Sequence, residues 1–535
     1  MTKSRITITF VLAFAFGLGT ASGFPGSGSS PKTDGSGSDN GKIGVHRISP
    51  TAFEDKVRGG WAGQVIGVTY GAPTEFRFLQ KINNKLRNWK PEELEGALDQ
   101  DDLYVEMTFS DVMDRKGLDA TSDDYGEAFK NSKYSLWHAN LAARRALQRG
   151  IKGSMSGNPK YNLHPNDIDF QIEADFIGLM TPGMPRAAQR YAERVGRVMN
   201  HGDGLYGGVF IAAMYSAAYF ENDPRKVVEA GVAAIPTESR YAKLIQDVLR
   251  WSQENPNDWK KTWQLIEDKW DRDDDCPEGA LKPFNIDAAL NGGYVAMGLL
   301  YGHKDFEKTM DIAMRGGQDS DCNPASAAGI LGAMLGYKGI PAKWTGPLPA
   351  MADKKFSYTN YSFNTSVEKT IERAKKVIAL QGGKITAEEL EIPAEQPEVL
   401  PLEQYDPGRP VERIAFSDAR WNFNGNWQKD DRGWAGVATR ADKAGSDATV
   451  KFSGTGAVLY GHLEPEGGLV EVSVDGHSMG TFDAFNDDGV RGDGIWGKFD
   501  FPPGEHTLKL VVKGKAHPGS KGAWVPVSDL VVYRK

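Results

Sequence analysis

Two aspartates stand two residues apart in GGQDSDCNPASAAGILGA (316–333), Asp319 and Asp321, at the mouth of a run of small apolar residues. Asp101 and Asp102 are adjacent in LDQDDLYVEM (98–107), and Glu75 lies near the end of GGWAGQVIGVTYGAPTEF (59–76). Hard divalent cations take oxygen ligands. Adjacent aspartates at a helix start offer carboxylates from one turn. Asp319 and Asp321 point the same way because alternate residues of an extended turn share a side. Four carboxylates from two remote segments suit one or two cations, and beside a buried helix without a cation they would repel one another. An aspartate ahead of a helix also serves as an N-cap, and Asp321 before NPASAAGILGAML has that alternative role.

Other polar residues are candidates for the substrate side. SGNPKYNLHPNDIDFQIEAD (156–175) is dense in Asn, His and Asp between helical segments, a composition common in loops that line sites. His164, Asp167 and Asp169 are its candidates, with Glu173 and Asp175 on the next helix. His201 and Asp203 precede an apolar helix whose N-terminus favours anions and hydrogen-bond acceptors. Asn323, beside Asp321, is a further substrate-binding candidate. Glu106, one turn past Asp102, is either an added carboxylate ligand or an exposed helix acid.

The elements that position these residues are legible in outline. Gly63, Gly67 and Gly71 recur on one helical face and allow very close helix packing. YGGVFIAAMYSAAYF (206–220) is apolar nearly all round, which marks a helix buried in an all-α domain. RKVVEAGVAAI, YAKLIQDVLRW and DFEKTMDIAMRGG carry apolar residues at helical spacing, and Asn-Asp-Pro at 222–224 reads as a helix stop and restart. ITAEELEIPAEQPEVLPLEQYDPGRP (385–410), rich in Pro and Glu, reads as an extended linker. Beyond it, ATVKFSG, AVLYGHL, LVEVSVDG, HTLKLVVKG and VSDLVVYRK alternate with period two, the pattern of an antiparallel β-sandwich, jelly-roll-like. Asp475-Gly476 predicts a hairpin turn. The loop AFNDDGVRGDGIWGKF (484–499) is read either as a calcium site or as a solvated loop. Trp421, Trp427, Trp434, Trp496 and Trp524 are either core residues or platforms for sugar rings.

Composition narrows the function. The chain of 535 residues has ordinary hydrophobic (40%) and charged (25%) fractions and a formal net charge of −8, so nucleic-acid binding is not expected. Lys3 and Arg5, an apolar run over 6–18 and the small residues 20–23 form a secretory signal pattern over 1–23. The run is shorter than the ~20 residues that span a bilayer, and no membrane span is expected in the mature protein. A Gly/Ser-rich tether comes next, over 24–44. The chain is therefore read as exported, to the periplasm or the extracellular space. Two cysteines, Cys276 and Cys322, cannot make a disulfide-scaffolded fold, and their separation leaves open whether they pair.

The ordered series of motifs resembles the ADP-ribosylglycohydrolase family, which includes dinitrogenase-reductase-activating glycohydrolase and the J-crystallins. The family's Gly, Asp-Thr-Asp-Thr/Cys-Asn and Ala/Gly-rich helix stand here as Asp319-Ser320-Asp321-Cys322-Asn323 and the small-residue run 324–333. Its early Gly-rich helix ending in Glu matches Gly63, Gly67, Gly71, Pro73 and Glu75, and its Thr-Asp-Asp-Thr element matches Gln100-Asp101-Asp102-Leu103. IEADFIGLMTPGMPRAAQRYAER and NHGDGLYGGVFIAAMYSAAY also fit, so that the resemblance spans about 47–341. It implies an all-α bundle, here over 45–384, with two magnesium ions in a cleft; the linker over 385–410 and the β-sandwich over 411–535, a candidate carbohydrate-binding module, would then mark a secreted subgroup. By the same resemblance Asp101, Asp102, Asp319 and Asp321 are metal ligands and Glu75 is the gating or catalytic glutamate beside the metals; the base that activates water is read as Glu75 or a metal-bound aspartate, Asp102 or Asp319. Gln100, Leu103 and Cys322 depart from the family's threonines, and a thiol is a poor magnesium ligand. The expectation is therefore one or two Mg²⁺, or Mn²⁺ or Ca²⁺ in their place. The activity expected is hydrolysis of a glycosidic bond at the anomeric carbon of a ribose-like or other sugar, in a glycan or an ADP-ribosyl compound. The alternative is a non-catalytic metal- or carbohydrate-binding protein on the same scaffold.

Overall fold

The computed structural model describes residues 44–271, 276–403, 405–430, 432 and 437–535. The signal pattern, nearly all of the Gly/Ser tether and Trp434 lie outside them. The chain is helical through Leu380 and then turns to antiparallel sheet. No helix among the described residues is long and apolar enough to cross a membrane.

The helical domain is organised by two antiparallel helices, Pro50–Gly71 and Cys322–Leu335. Glycines at positions 59, 63 and 67 of the first meet the second turn by turn, and Gly71 meets the residues just ahead of it. A Cβ at Gly59 would stand 2.2 Å from the Gly332 carbonyl oxygen, at Gly63 2.0 Å from that of Ala328, at Gly67 2.3 Å from that of Pro324 and at Gly71 2.0 Å from that of Ser320. The helices touch backbone to backbone, and no other residue type fits the seam. The sequence motif reads three of these glycines, and Gly59 extends the stripe by one turn. The helix Asp203–Ala218 is buried on all sides, as its composition predicts, and the periodic segments form Pro224–Ala233, Arg240–Glu254 and Phe306–Arg315. Asp223 caps the restart after the predicted stop, its carboxylate accepting from the Arg225 amide.

The stretch read as a linker is extended, but much of it is fastened to the helices. Val45–Ile48 (β1), Lys384–Ile385 (β2) and Leu390–Pro393 (β3) form a three-stranded sheet in the order β1-β3-β2. Downstream, the Glu395 side chain accepts from the Ala187 amide, Pro401 O from the Tyr206 hydroxyl, and Glu403 pairs with His201 and Arg197. Burial of apolar side chains and these bonds outweigh the Pro/Glu composition that suggested a free connection.

The C-terminal strands are Arg409–Ala415 (β4), Asn422–Asn424 (β5), Gln428–Asp430 (β6), Ala438–Ala441 (β7), Asp447–Leu463 (β8), Gly468–Val474 (β9), His477–Asp483 (β10), Val490–Ala516 (β11), Val525–Val527 (β12) and Asp529–Arg534 (β13). A seven-stranded antiparallel sheet runs β10-β9-β11-β8-β13-β4 with β5 against β8, and a three-stranded sheet runs β12-β7-β6. Asp475 and Gly476 both take positive φ, 51° and 78°, as a two-residue turn between β9 and β10 requires. Trp421 and Trp496 are buried core residues, Trp427 packs on Phe423, and Trp524 lies under the Arg440 guanidinium.

The loop over 484–499 docks on the helical domain, a role that neither reading of its acids foresees. The Asp493 carboxylate meets His164 Nε2 at 2.8 Å, and Asp488 accepts from the Ser135 hydroxyl at 2.8 Å. The Arg413 guanidinium of β4 donates to the Pro277 and Ala280 carbonyls, and Ala280 packs with Val458, Val531 and Tyr533.

The glycine seam makes a sharp prediction. Gly67→Ala forces a methyl group into a backbone carbonyl and is expected to cost about 1–3 kcal/mol, read as a lowered urea midpoint. Gly96→Ala meets nothing nearer than 4.0 Å and is expected to leave the midpoint unchanged. Equal behaviour of the two variants contradicts the seam.

Candidate functional site

The seam ends at the acids. Beyond Gly71 the chain makes a short turn to Glu75, and ahead of the second helix Gly317 (φ 89°) and Gln318 (φ 53°) turn the chain into Asp319. The two turns are bonded to each other. The Phe76 amide donates to Gln318 O at 3.0 Å, the Gln318 amide to Phe78 O at 3.2 Å, and the Thr74 and Ser320 hydroxyls meet at 2.8 Å. Glu75, Asp319 and Asp321 thus offer carboxylate oxygens within 4.8 Å of one another.

The second acidic pair approaches from the helix Asp101–Lys116. Its N-cap, Gln100, makes no side-chain capping bond, and both aspartates stand in the first turn, where the helix dipole favours them. Asp102 is buried and accepts from the Cys322 thiol at 3.4 Å, and Asp102, Asp321 and Cys322 form a second close donor group. Asp321 occupies the N-cap position of the helix Cys322–Leu335 without making a capping bond, and its Oδ1 is buried without a hydrogen-bond partner. The capping alternative for Asp321 is therefore not what its side chain does.

These acids disturb one another. Burial, then Asp321, pushes the Asp101 carboxyl up to about 6. The desolvating walls of the cleft, with Asp321 and Asp101, push Glu75 up to about 8, although its side chain reaches the open mouth. Burial and neighbouring acids raise Asp102 and Asp319 as well, and burial raises Asp321. A buried carboxylate oxygen with no donor, amid acids that repel, is a donor set that fits a hard divalent cation. The departures from the family pattern are distributed unequally. Gln100 lines the cleft, Leu103 is in the core, and Cys322 stands among the aspartates.

The acids lie in a cleft of about 450 Å³, within the range of small-molecule sites. Glu75, Asp101 and Asp319 line it together with Trp137, His138, Glu278 and Phe284. Phe284 packs on Phe76 at 5.0 Å and on the His138 ring at 5.7 Å, while Trp137 is 46% exposed. None of these four residues is singled out by sequence. Their only local signal is an aromatic and a histidine at a helix start, His138–Gln148.

The other candidates divide between the cleft and elsewhere. Asp169 lines the cleft and accepts from the Ala139 and Asn140 amides. Asn323 is buried behind Asp319, its side-chain amide donating to Asn291 Oδ1, which also accepts from the Asp319 amide. Glu173 accepts from Asn140 and Asp175 from the Tyr215 hydroxyl, both beneath the site. His164 and Asp167 form a separate cluster. His201 is drawn to Glu403, and Asp203 accepts from the Tyr241 amide at the start of Arg240–Glu254, so neither lines this cleft. Glu106 is fully buried and accepts from the Phe176 amide and Gln64, which makes it neither an exposed acid nor part of the cleft. Cys276 and Cys322 are not joined in a disulfide.

A family model described as ADP-ribosylglycohydrolase matches residues 49–378. Among solved structures, the chain is similar to an ADP-ribosylglycohydrolase-related protein complex at 15% identity, over 61% of this chain and 99% of that chain, with a TM-score of 0.37. It is also similar to a xanthan lyase from Paenibacillus (10% identity, 27% of this chain, 15% of that chain, TM-score 0.20). A carbohydrate-binding module, CBM36 in complex with calcium and xylotriose, is matched at 11% identity over 23% of this chain and 98% of that chain, with a TM-score of 0.17. A search of curated proteins returns no match.

The raised carboxyls fix a pH dependence. In chelator, the fold holds more protons than the unfolded chain between the ordinary carboxylate range of about 4 and the values of about 6 and about 8 of Asp101 and Glu75. Stability conferred by these protonated acids is present at low pH and is lost as pH rises through that window. The thermal midpoint of chelated protein is expected to fall between about pH 5 and about pH 8, and a divalent cation is expected to flatten the fall. A chelated midpoint that rises through the window contradicts the electrostatics of the site.

Proposed function

Because the chain belongs to the ADP-ribosylglycohydrolase family, we propose that it is an exported hydrolase that uses a divalent metal ion to cleave a glycosidic bond at the anomeric carbon of a ribose-like or other sugar. The observation that carries this reading is the clustering of Glu75, Asp319 and Asp321, and of Asp102 with Asp321, beside a cleft lined by Glu75, Asp101 and Asp319, with Asp321 Oδ1 buried and without a hydrogen-bond partner. Export rests on the signal pattern over 1–23.

Asp101, Asp102, Asp319 and Asp321 are the residues that would hold magnesium, one of the hard ions that an oxygen donor set suits. Magnesium bound there supplies a grip on vicinal ribose-type hydroxyls and polarises the sugar. Asp102 and Asp319 are almost wholly buried, whereas Glu75 reaches the mouth. Of these three Glu75 is thus the acid with access to solvent water, and we assign it as the base that takes the proton from the water attacking C1. Asn291, bonded to the Asp319 amide and to Asn323, steadies the turn that carries Asp319. Trp137 and Phe284 offer apolar faces for the aglycone, be it the remainder of a glycan or an adenine-bearing group.

Purified protein is expected to release sugar from ADP-ribosylated peptide or from one of a panel of aryl furanosides and pyranosides, with magnesium and not with chelator. Glu75→Gln is expected to lower turnover by about 10²–10⁴-fold, and Asp321→Asn to weaken magnesium binding. Turnover that survives chelation, or Glu75→Gln at the parent rate, contradicts the assignment. Magnesium binding with no release from any substrate favours a binding protein on the same scaffold.

A further inference from the structure

A second donor cluster lies beside the acidic cleft and has a different chemistry. His138, His164, Asp167 and Cys276 each offer one ligand atom, and all four atoms lie within 4.8 Å of one another. The Asp167 Oδ2 oxygen is 2.8 Å from His164 Nδ1, 3.2 Å from Cys276 Sγ and 3.8 Å from His138 Nδ1, and the thiol is 3.6 Å from His164 Nδ1. Four donors around a zinc-sized ion with bonds of about 2.0–2.3 Å stand about 3.3–3.6 Å apart. The four separations, 2.8–3.8 Å, bracket that spacing, so modest side-chain movement would bring the donors to it.

Three further observations point to a metal rather than to a hydrogen-bonded chain alone. First, Asp493–His164–Asp167–Cys276 accounts for three of the donors, but His138 Nδ1 is buried and makes no hydrogen bond, although a Glu278 carboxylate oxygen stands 3.3 Å away. Second, His138 is held with φ at 47°, a strained value for a residue with a side chain, and this conformation goes with the placement of its ring at the cluster. Third, the remote nitrogen of His164 is 2.8 Å from the Asp493 carboxylate. A carboxylate on the far nitrogen of a ligating histidine fixes its orientation and strengthens it as a donor. His164, Asp167 and Cys276 are buried.

We propose that His138, His164, Asp167 and Cys276 form a binding site for a zinc-class divalent ion, with Asp493 of β11 supporting His164. Two imidazoles, a thiolate and one carboxylate oxygen select a softer ion than the all-carboxylate cleft does. Four protein donors leave no open position, so the site is structural. It ties the start of the helix His138–Gln148 to the segment that carries Cys276 and Glu278, and Trp137, His138 and Glu278 form part of the wall of the acidic cleft. Through Asp493 it also fastens the β-domain to that wall. The inference stands independently of the hydrolase reading, because it concerns other residues and is tested without turnover.

The test uses the full protein, stripped with chelator and titrated with Co²⁺ alone in the presence of excess magnesium. Binding is expected to produce a thiolate-to-cobalt charge-transfer band in the near ultraviolet with tetrahedral bands in the visible, both displaced by zinc. Cys276→Ser is expected to abolish the charge-transfer band, whereas Cys322→Ser, which removes the thiol of the acidic cleft, keeps it. Asp493→Asn is expected to weaken cobalt binding by roughly 10–100-fold, the usual effect of losing such a carboxylate. Should Cys276→Ser fail to fold, His138→Ala removes a partly exposed ligand, and circular dichroism reports whether the fold is kept while the tetrahedral bands are lost. No charge-transfer band at saturating cobalt, or a band lost in Cys322→Ser and kept in Cys276→Ser, overturns the proposal.

Discussion

The structure depends on one close approach, the backbone contact between the helices Pro50–Gly71 and Cys322–Leu335. Four glycines, one per turn, let the carbonyls of Gly332, Ala328, Pro324 and Ser320 come within reach of the first helix. Segments remote in sequence are thereby held in fixed register. The register is what sets Glu75 beside Asp319 and Asp321, and the bonds from Phe76 to Gln318 and from Thr74 to Ser320 lock it at the open end. A side chain in the seam would part the helices and, at the same time, spread the carboxylates.

The same constraint creates an electrostatic problem. Close packing drives Asp319 and Asp321 out of water, and Asp102 is buried against Cys322 beside them. Such acids either hold protons or face a cation. The missing partner of Asp321 Oδ1 is the local sign that the arrangement is incomplete with protein atoms alone. The lining of the cleft also carries the aromatic rings of Trp137, His138 and Phe284. The cleft thus combines groups suited to polar hydroxyls with faces suited to a ring.

Much of this is legible in the sequence, and the residues show why. The acidic pairs and the glycine spacing are local patterns whose meaning survives without a fold, and so does the change from helical to period-two alternation after Pro410. Glu106 shows the limit, because the same spacing that places it one turn past Asp102 leaves its fate to tertiary contacts, which bury it against the Phe176 amide. His201 and Asp203 sit at a helix start, a position that suits ligands, yet a charged segment far along the chain claims the histidine through Glu403. Trp137, His138 and Glu278 carry no local motif. They become neighbours of the acids only because the segments that bear them pack together, and Asp493 joins them from the β-domain.

The central claim is that the glycine seam builds a cation site from two remote acidic segments. Anomalous scattering from crystals grown with Mn²⁺ tests it most directly, because it locates the ion without assuming any activity. A strong peak is expected, bounded by the carboxylates of Asp319 and Asp321 and by those of the Asp101–Asp102 turn or Glu75. A saturated crystal with no peak among these carboxylates, and with Asp321 bonded only to protein or water, contradicts the claim.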